Sequence, residues 1–511
     1  MYTVRIPLKL NSYEERFLSK SFFFSDKIHN SLVKVGQKRL NAIMNDKIYR
    51  QARLEYGESG FSKKKANTLS KAQKVRRKEL IELMQSKVME YKLLSKDFDA
   101  YVSTIQKKYR NYVSSHQAQA EVKAVYSGIQ KVLYDNGTHL HFKRYNQFDC
   151  IKQKNSTNGV KLRNWSQIEF MKHKYNLNPS HSTYMQEIMN TVDIQNDVVY
   201  SFLKRIEFNS GFHYYAIVTL KGEAPYKKHL SSNDKARTGV DLGTSSIATV
   251  STEKVNLVEL APLSMKYEKE IRQLQKLVER SMRIHNPNNY KSDGTIKKGK
   301  NKKWNLTKRC KRLKRKIRIL YRKQSAYILT SHNTFINQLL SSVDELYVEP
   351  MVFSSLQKRS KKTERSEKLS TVKKKDGSTI QIHKIKKKKR YGKSIKNRSP
   401  SLMQQRLKEK TAQYGIPYYE IDRQKFRASQ FHHDTGEYIK SLVNERTKCI
   451  DGHTVQRDLY SAFLISNADN TSTQVDMDLC DQNFLNFVEL HDEAIAKMKE
   501  QNISFKQCFG F

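Results

Sequence analysis

Apolar and polar positions divide the chain into a helical stretch, a β-rich stretch and a mixed half. Residues 1–10 alternate as a strand does, and from about 12 to 130 apolar positions such as Leu80, Met84 and Val88 recur at helical spacing. From about 139 to 220, short extended segments rich in aromatic and β-branched residues are separated by polar turns. We predict a small β-rich domain, interpreted as a barrel, with a helical lobe inserted after its first strand.

The second half alternates between strand and helix patterns. Residues 238–252 predict a strand, a Gly-containing turn and a second strand, and amphipathic helices follow over 268–284 and 306–340. Shorter elements continue the alternation: a buried strand at 344–353, then a helix and a strand at 400–422. This half is therefore predicted to have an α/β fold.

The net charge limits the class of function more than the apolar content does. The chain has 96 Lys and Arg against 50 Asp and Glu, a net charge of +46, and such an excess favours a polyanionic partner, most simply nucleic acid. Apolar residues make up 37% of the 511 residues, which is enough to build cores and excludes wholesale disorder and collagen-like architectures. The sequence contains neither a Walker loop nor a G-x-S-x-G elbow, so nucleotide-dependent motors and hydrolases of that type are not predicted.

The spacing of the cysteines and the length of the apolar stretches indicate the cellular compartment. Five cysteines occur, and none stands two or three positions from another, so neither a disulfide scaffold nor an ordinary zinc ribbon is predicted. No stretch approaches eighteen apolar residues, and the first residues lack the pattern of a secretory signal. We expect a reducing, cytoplasmic location in contact with the nucleoid and no membrane partner.

Three acids occupy distinctive places in the predicted α/β elements. Asp241 lies on the first strand, Glu349 at the end of a later strand, and Asp458 in a helix-like segment. Clustered carboxylates repel one another and are tolerated when divalent cations neutralise them, and two such ions promote in-line attack at a phosphodiester. Fifty acids are present, however, and an acid taken singly is more often a salt-bridge or capping residue.

The sequence around the acids resembles a known family. GVDLG with IAT (239–249), a strand ending in Glu-Pro (349–350) and RDLYSAF (457–463) resemble, in this order, the three motifs of the RuvC-type nuclease domain, which has an RNase H-like fold. The resemblance extends over nearly the whole chain to the TnpB family of transposon-encoded, RNA-guided DNA endonucleases, relatives of the type V CRISPR effectors. Segments 283–300, 346–364 and 426–438 also carry it.

The resemblance implies the chemistry and the partners. Asp241, Glu349 and Asp458 are expected to be catalytic and to bind two Mg²⁺ ions, with Mn²⁺ as an alternative, in one site that cuts both DNA strands in succession. The partners would be a guide RNA, derived from a transposon or CRISPR-like, and double-stranded target DNA, with one protein chain per RNA. Sequence specificity would come mainly from base pairing.

The resemblance also implies a multidomain α+β fold class: an RNase H-like (RuvC) α/β nuclease domain preceded by a β-barrel, wedge-like domain with an inserted helical recognition lobe. The expected boundaries are as follows: wedge-like domain 1–11 and 136–235, helical lobe 12–135, RuvC-like parts 236–356, 399–426 and 453–511 (the last with an acidic tail), basic insertion 357–398, and degenerate zinc-ribbon region 427–452.

Two departures from the family pattern stand out. Tyr460 replaces the Asn of the usual R-D-x-N-A-A motif, a change that we expect to be tolerated because Asp458 is retained. Many relatives carry a four-cysteine zinc ribbon after a T-S-Q sequence, but Ala-Ser-Gln (428–430) is followed here by no C-x-x-C. We expect no zinc, although four residues offer N and S ligands in principle: His432, His433, Cys449 and His453.

Basic segments supply candidate nucleic-acid contacts. Residues 297–323 hold fifteen Lys or Arg and no acid, and Lys311, Lys314, Arg315 and Arg318 are predicted to form a face that follows a phosphate backbone. A second group is read as a flexible insertion that orders on RNA or DNA, with a disordered tether as the alternative: Lys386, Lys387, Lys388, Lys389 and Arg390. Four aromatic residues of the β-rich part are read as core side chains, with base stacking as the alternative: Phe142, Tyr145, Tyr214 and Tyr215.

Two other functions remain as alternatives. One is a guide-RNA-dependent DNA-binding repressor that does not cut, which loss of the acids would favour. The other is a transposase that joins DNA strands and shares the acid chemistry.

Overall fold

Helices and strands are mixed in both parts of the computed structural model, whose chain divides into two units, residues 1–227 and 228–511. Along 364–373 and 379–386 the backbone is described, with the side chains of Leu369 and Gln381. The structure describes residues 1–61, 69–135, 137–144, 147–153, 159–225, 236–292, 294–297, 299, 302–357, 364–373, 379–386, 391–440 and 445–501.

The first unit contains a seven-stranded sheet in the order β2-β6-β7-β1-β5-β4-β3. The first strand lies inside this sheet, antiparallel to both β7 and β5, although about 140 residues separate it from β2 in the chain. Among the described strands no hydrogen-bonded pairing joins β2 to β3, so closure into a barrel stays a prediction. The strands are β1 Tyr2–Lys9, β2 Cys150–Ile151, β3 Lys161–Asn164, β4 Gln167–Phe170, β5 His173–Leu177, β6 Val198–Phe208 and β7 Gly211–Leu220.

The predicted helical stretch is present between the first two strands. Its first helix begins with a capping box, in which Asn11 accepts from the backbone of Glu14 and Glu14 bonds back to Asn11. A buried apolar cluster holds these helices together. A later short helix, α6, was not predicted; Ser182 caps it by accepting from Met185 N. The helices are α1 Ser12–Asn45, α2 Lys47–Glu58, α3 Lys71–Glu90, α4 Ser95–Lys108, α5 Ser115–Tyr134, α6 Thr183–Thr191 and α7 Ile194–Asp197.

The second unit is built on a five-stranded mixed sheet in the order β10-β9-β8-β11-β14. The hairpin predicted at 238–252 is present as β8 and β9, and β11 and β14 run parallel to β8. Of the two-stranded sheets, β12-β13 lies between β11 and β14 in the chain, and β15-β16 and β17-β18 follow β14. The strands are β8 Ala236–Leu242, β9 Ser246–Val250, β10 Val255–Glu259, β11 Val343–Val348, β12 Glu364–Lys373, β13 Thr379–Lys386, β14 Tyr418–Glu420, β15 Phe431–His432, β16 Glu437–Tyr438, β17 Thr447–Ile450 and β18 His453–Gln456.

Helices cover both faces of the five-stranded sheet. One face packs on α9 and α12 through residues such as Val240, Ile336 and Leu407, and the other packs on α14 and α15. The two long helices predicted at 268–284 and 306–340 are present as α8 and α9. The helices are α8 Ser264–His285, α9 Lys308–Leu339, α10 Phe353–Gln357, α11 Gly392–Arg398, α12 Pro400–Gln413, α13 Arg423–Phe426, α14 Arg457–Ser466 and α15 Met477–Glu500.

These observations confirm a mixed α/β chain with several sheets. Within the expected basic insertion 357–398, β12 pairs with β13, and α11 follows with Ile395 buried in the core of the second unit. The group read as flexible, 386–390, is described only at the backbone of Lys386, so that interpretation stays a prediction. Within the described residues, every helix is too short or too polar to cross a bilayer.

Candidate active site

Two of the predicted acids lie side by side at one edge of the central sheet. Asp241 is the last residue but one of β8, and Glu349 directly follows β11. The two strands are parallel, with Val240 opposite Val348, and the backbone nitrogen of Glu349 donates to the carbonyl oxygen of Val240 at 3.2 Å. Because the carboxyl ends of parallel strands meet at the same edge, the two carboxylates are neighbours.

A glycine allows the third acid to approach the same edge. A Cβ on Gly239 would collide with the carbonyl oxygen of Ala462 and the backbone nitrogen of Ser466, so α14 lies directly on β8 at this residue. Asp241, two positions later, faces the same side of the sheet as Gly239. Asp458 is in the first turn of α14, whose N-terminus is capped by the Gln456 side chain, which accepts from Leu459 N at 2.7 Å.

The electrostatics of Asp241 indicate that it lies close to the other two carboxylates. Loss of hydration is the largest cause that raises the pKa of Asp241 well above its usual value, and the charges of Glu349 and Asp458 raise it further, against a lowering by Arg457. Burial also raises the pKa of Glu349, and Arg423 opposes that shift. Two carboxyl groups are thus held where their ionised forms are disfavoured.

Asp458 is stabilised differently, by two arginines. Arg457 Nη2 lies 3.3 Å from Asp458 Oδ1, and Arg446 Nη1 lies 3.6 Å from Oδ2. Both guanidinium groups are mostly buried, with side-chain exposures of 16% for Arg457 and 25% for Arg446. The charge of Asp458 is therefore compensated within the protein, whereas those of Asp241 and Glu349 depend more on a cation from outside.

The donor set matches the chemistry of Mg²⁺, which prefers carboxylate oxygens. The repulsion felt by Asp241 is what a divalent cation would offset. Within the described part of the chain, however, no three His, Cys, Asp or Glu side chains are already arranged around one metal position. Asp241 and Glu349, at the ends of adjacent parallel strands, are the residues that would hold such an ion, and Asp458 lies near Asp241 in contact with two arginines.

Comparisons with known proteins leave the family open. No protein-family model matches the chain, and no curated protein matches its sequence. Among solved structures, one match is a chain of the cryo-EM structure of a CRISPR-Cas12f ternary complex, with 11% sequence identity and a TM-score of 0.27, covering 91% of this chain and 99% of that chain. At that TM-score the two chains do not superpose as whole folds.

The possible zinc ligands are not brought together. His433 is buried, and its Nδ1 and backbone nitrogen lie 2.8 and 3.0 Å from the Tyr460 hydroxyl oxygen, whereas Cys449 and His453 are exposed. Burial lowers the pKa of both His432 and His433. No metal-like group of ligands forms here among the residues described, and the expected absence of zinc stays a prediction.

The predicted basic face on α9 is only partly exposed. Lys311 is exposed, but Lys314, Arg315 and Arg318 are half-buried, because α8 packs along this side of α9 through Ile271, Leu274 and Leu320. Other exposed bases of the same helix, missed by the prediction, are Lys308, Arg309, Arg312, Lys316 and Lys323.

The remaining residues predicted to contact nucleic acid are also only partly exposed or partly described. Lys386 ends β13, and 387–390 lie outside the described residues, as does Tyr145. Phe142 is exposed and Tyr215 half-buried, with Arg5 over the Tyr215 ring at 5.2 Å. Tyr214 is 5% exposed, so the core interpretation holds for this residue.

Sequence reasoning missed the arginines of the site. Arg457 precedes Asp458 directly, so the Arg-Asp pair was visible, but nothing in the sequence indicated that its guanidinium turns towards Asp458. Arg446 stands twelve residues earlier, and Arg423 follows the last strand of the sheet. An Asp-Arg pair at a strand end, 422–423, is the signal that would have drawn attention to Arg423.

Proposed function

We propose that this chain is an RNA-guided, Mg²⁺-dependent DNA endonuclease of the TnpB type, acting through a RuvC-like site. The observation that carries the proposal is the placement of Asp241 and Glu349 on adjacent parallel strands, with Asp458 close enough for its charge to raise the pKa of Asp241. An edge with this many poorly compensated carboxylates is unfavourable for stability and suits a cation-dependent reaction.

Each acid has a defined role in the proposal. Asp241 and Glu349 would hold the metal ions on the rigid ends of β8 and β11, and Asp458 would join them from α14. When bound, Mg²⁺ lowers the pKa of an attacking water and stabilises the leaving oxygen of the phosphodiester. The mixed strand order β10-β9-β8-β11-β14 is compatible with the RNase H-like fold that the sequence motifs imply.

Charge supports polyanionic partners. The net charge of +46 is concentrated in segments such as 297–323, and the long helix α9 presents exposed bases from this segment. Guide RNA and target DNA together would supply the compensating negative charge.

The test is cleavage of a matched DNA by the purified chain with its co-purifying RNA and Mg²⁺. We expect the wild type to cut and the rate of Asp241→Asn to be at least ~1,000-fold lower, which corresponds to a rise of about 4 kcal/mol in the activation free energy. Glu253→Gln is the matched control, because Glu253 is an exposed carboxylate in the turn between β9 and β10, at the other end of the same sheet. Uncut DNA with wild type, or equal losses in both variants, would contradict the proposal.

One observation favours a second function, a guide-RNA-dependent DNA-binding protein that does not cut. The contacts of Asp458 with Arg446 and Arg457, together with the lack of a ready three-ligand group among the described residues, suit a site that does not assemble its metal ions. Sequence-specific DNA binding with the co-purified RNA, without cleavage at any Mg²⁺ concentration, would establish this function instead.

A further inference from the structure

Arg423 is fixed beside Glu349 by the backbone around it. Where the chain leaves β14, Ile421 N donates to the carbonyl oxygen of Val348 at 3.2 Å, one residue before Glu349. Asp422 N then donates to Ser472 O at 2.9 Å, and the Asp422 carboxylate accepts from Gln424 N at 3.0 Å. These bonds on either side hold the Cα of Arg423 at the same sheet edge as the acids.

The Arg423 side chain is exposed and directed along this edge. Its Nη1 lies 3.9 Å from the sulfur of Met351, two residues after Glu349, and its positive charge lowers the pKa of Glu349 against the effect of burial. Among the described residues it forms no ion pair, in contrast to Arg446 and Arg457, which both contact Asp458. Arg423 is therefore a guanidinium held next to a metal-ligand candidate without a carboxylate of its own.

We propose that Arg423 binds a non-bridging oxygen of the scissile phosphodiester of the DNA target, next to Glu349. This inference rests on the proposed endonuclease function. A guanidinium presents a planar fork of N–H donors that matches phosphate oxygens, and such a donor stabilises the charge that develops during displacement. A group already bonded to a carboxylate would have to break that contact first, whereas Arg423 does not.

The test compares three variants in single-turnover cleavage of DNA that is already bound to the protein and its RNA. Arg423→Gln is expected to lower the rate by about 100-fold, and Arg423→Lys, which keeps the charge but loses the fork, by about 10-fold. Lys425→Gln is the matched control, an equal loss of charge on an exposed side chain of the same short helix, and is expected to cut at the wild-type rate. All three are expected to bind DNA within about twofold of wild type.

Further readouts separate contact with phosphate from an effect through Glu349. If Arg423 binds the phosphate, the Mg²⁺ concentration for half-maximal cleavage stays the same in Arg423→Gln, and high Mg²⁺ does not restore the rate. Recovery at high Mg²⁺, equal losses in Arg423→Gln and Lys425→Gln, or a wild-type rate in Arg423→Gln would each overturn the inference. If wild type cuts and Asp241→Asn does not, these results bear on Arg423 alone. If wild type fails to cut, both proposals fall.

Discussion

Adding one methyl group at Gly239 tests whether α14 packs directly on β8 at the site. In Gly239→Ala the new Cβ collides with the backbone of Ala462 and Ser466, and backbone atoms of a buried helix cannot turn aside as a side chain can. Restoring van der Waals separation requires α14 to move away from β8 by about 1 Å. Overpacking of this kind costs about 1–3 kcal/mol, and we expect the upper end.

The measurable consequences are a lower melting temperature and slower cleavage. At roughly 2–4 °C per kcal/mol for a unit of this size, the melting temperature falls by about 6–12 °C. Since Asp458 moves with α14, a displacement of about 1 Å lowers the cleavage rate by about 100-fold. Thermal unfolding followed by circular dichroism and single-turnover cleavage below the transition measure the two effects.

Gly392→Ala is the control for this experiment. A Cβ at Gly392, in the same unit, meets no atom of the described residues within 4 Å, so melting temperature and cleavage should stay at wild-type values. Wild-type stability and cleavage in Gly239→Ala would refute the close packing of α14 on β8, and with it the route by which Asp458 reaches the sheet edge.

Three further predictions follow from buried polar groups. Because the folded-state pKa of Asp241 is raised, its protonated form stabilises the fold below the usual pKa of an Asp, and this stability is lost as pH rises through the raised value. Asp241→Asn should therefore melt higher than wild type at neutral pH, with a flatter pH profile, and Mg²⁺ should raise the melting temperature of wild type only. Tyr460→Phe removes the hydroxyl bonded to buried His433 and should lower the free energy of unfolding, measured in urea, by about 1–3 kcal/mol. A Tyr→Phe change on the surface should lower it little. Arg398→Ala removes the guanidinium that pairs with buried Glu259 and should lower the free energy of unfolding by about 3–5 kcal/mol, whereas replacing both residues by apolar ones should recover much of that loss.

Local periodicity predicted much of the second unit. The strand pattern around Asp241 and the helical spacing of α8 and α9 depend on neighbours within a few residues, and these elements are present within a few residues of the expected bounds. The edge position of Glu349 was predicted only through its motif, since the pairing of β11 with β8 spans about a hundred residues. Periodicity carries no information on such long-range pairing.

Side-chain direction was predicted less well than secondary structure. Lys314 and Arg318 lie outside the apolar stripe of α9 but are half-buried. This burial was not predicted, because the width of the contact with α8 cannot be read from the sequence of one helix alone. In the same way, Arg446 reaches Asp458 only through the pairing of β17 with β18, which brings the residues before and after this hairpin together.

Tyr460, which stands where the R-D-x-N-A-A motif has Asn, has a structural role in the core of the second unit. The residue is fully buried one turn into the helix that carries Asp458, its ring stacks on Phe463 at 6.2 Å, and the buried Lys448 Nζ lies 5.3 Å from its centroid. Its hydroxyl bonds to His433, in the segment 427–452 that was predicted to be a degenerate zinc-ribbon region. An Asn side chain at this position is shorter and lacks the ring, so it could not fill the same space. Tyr460 therefore connects the segment of β15 to β18 with α14, the helix that carries Asp458, by aromatic packing and by the buried hydrogen bonds between its hydroxyl and His433.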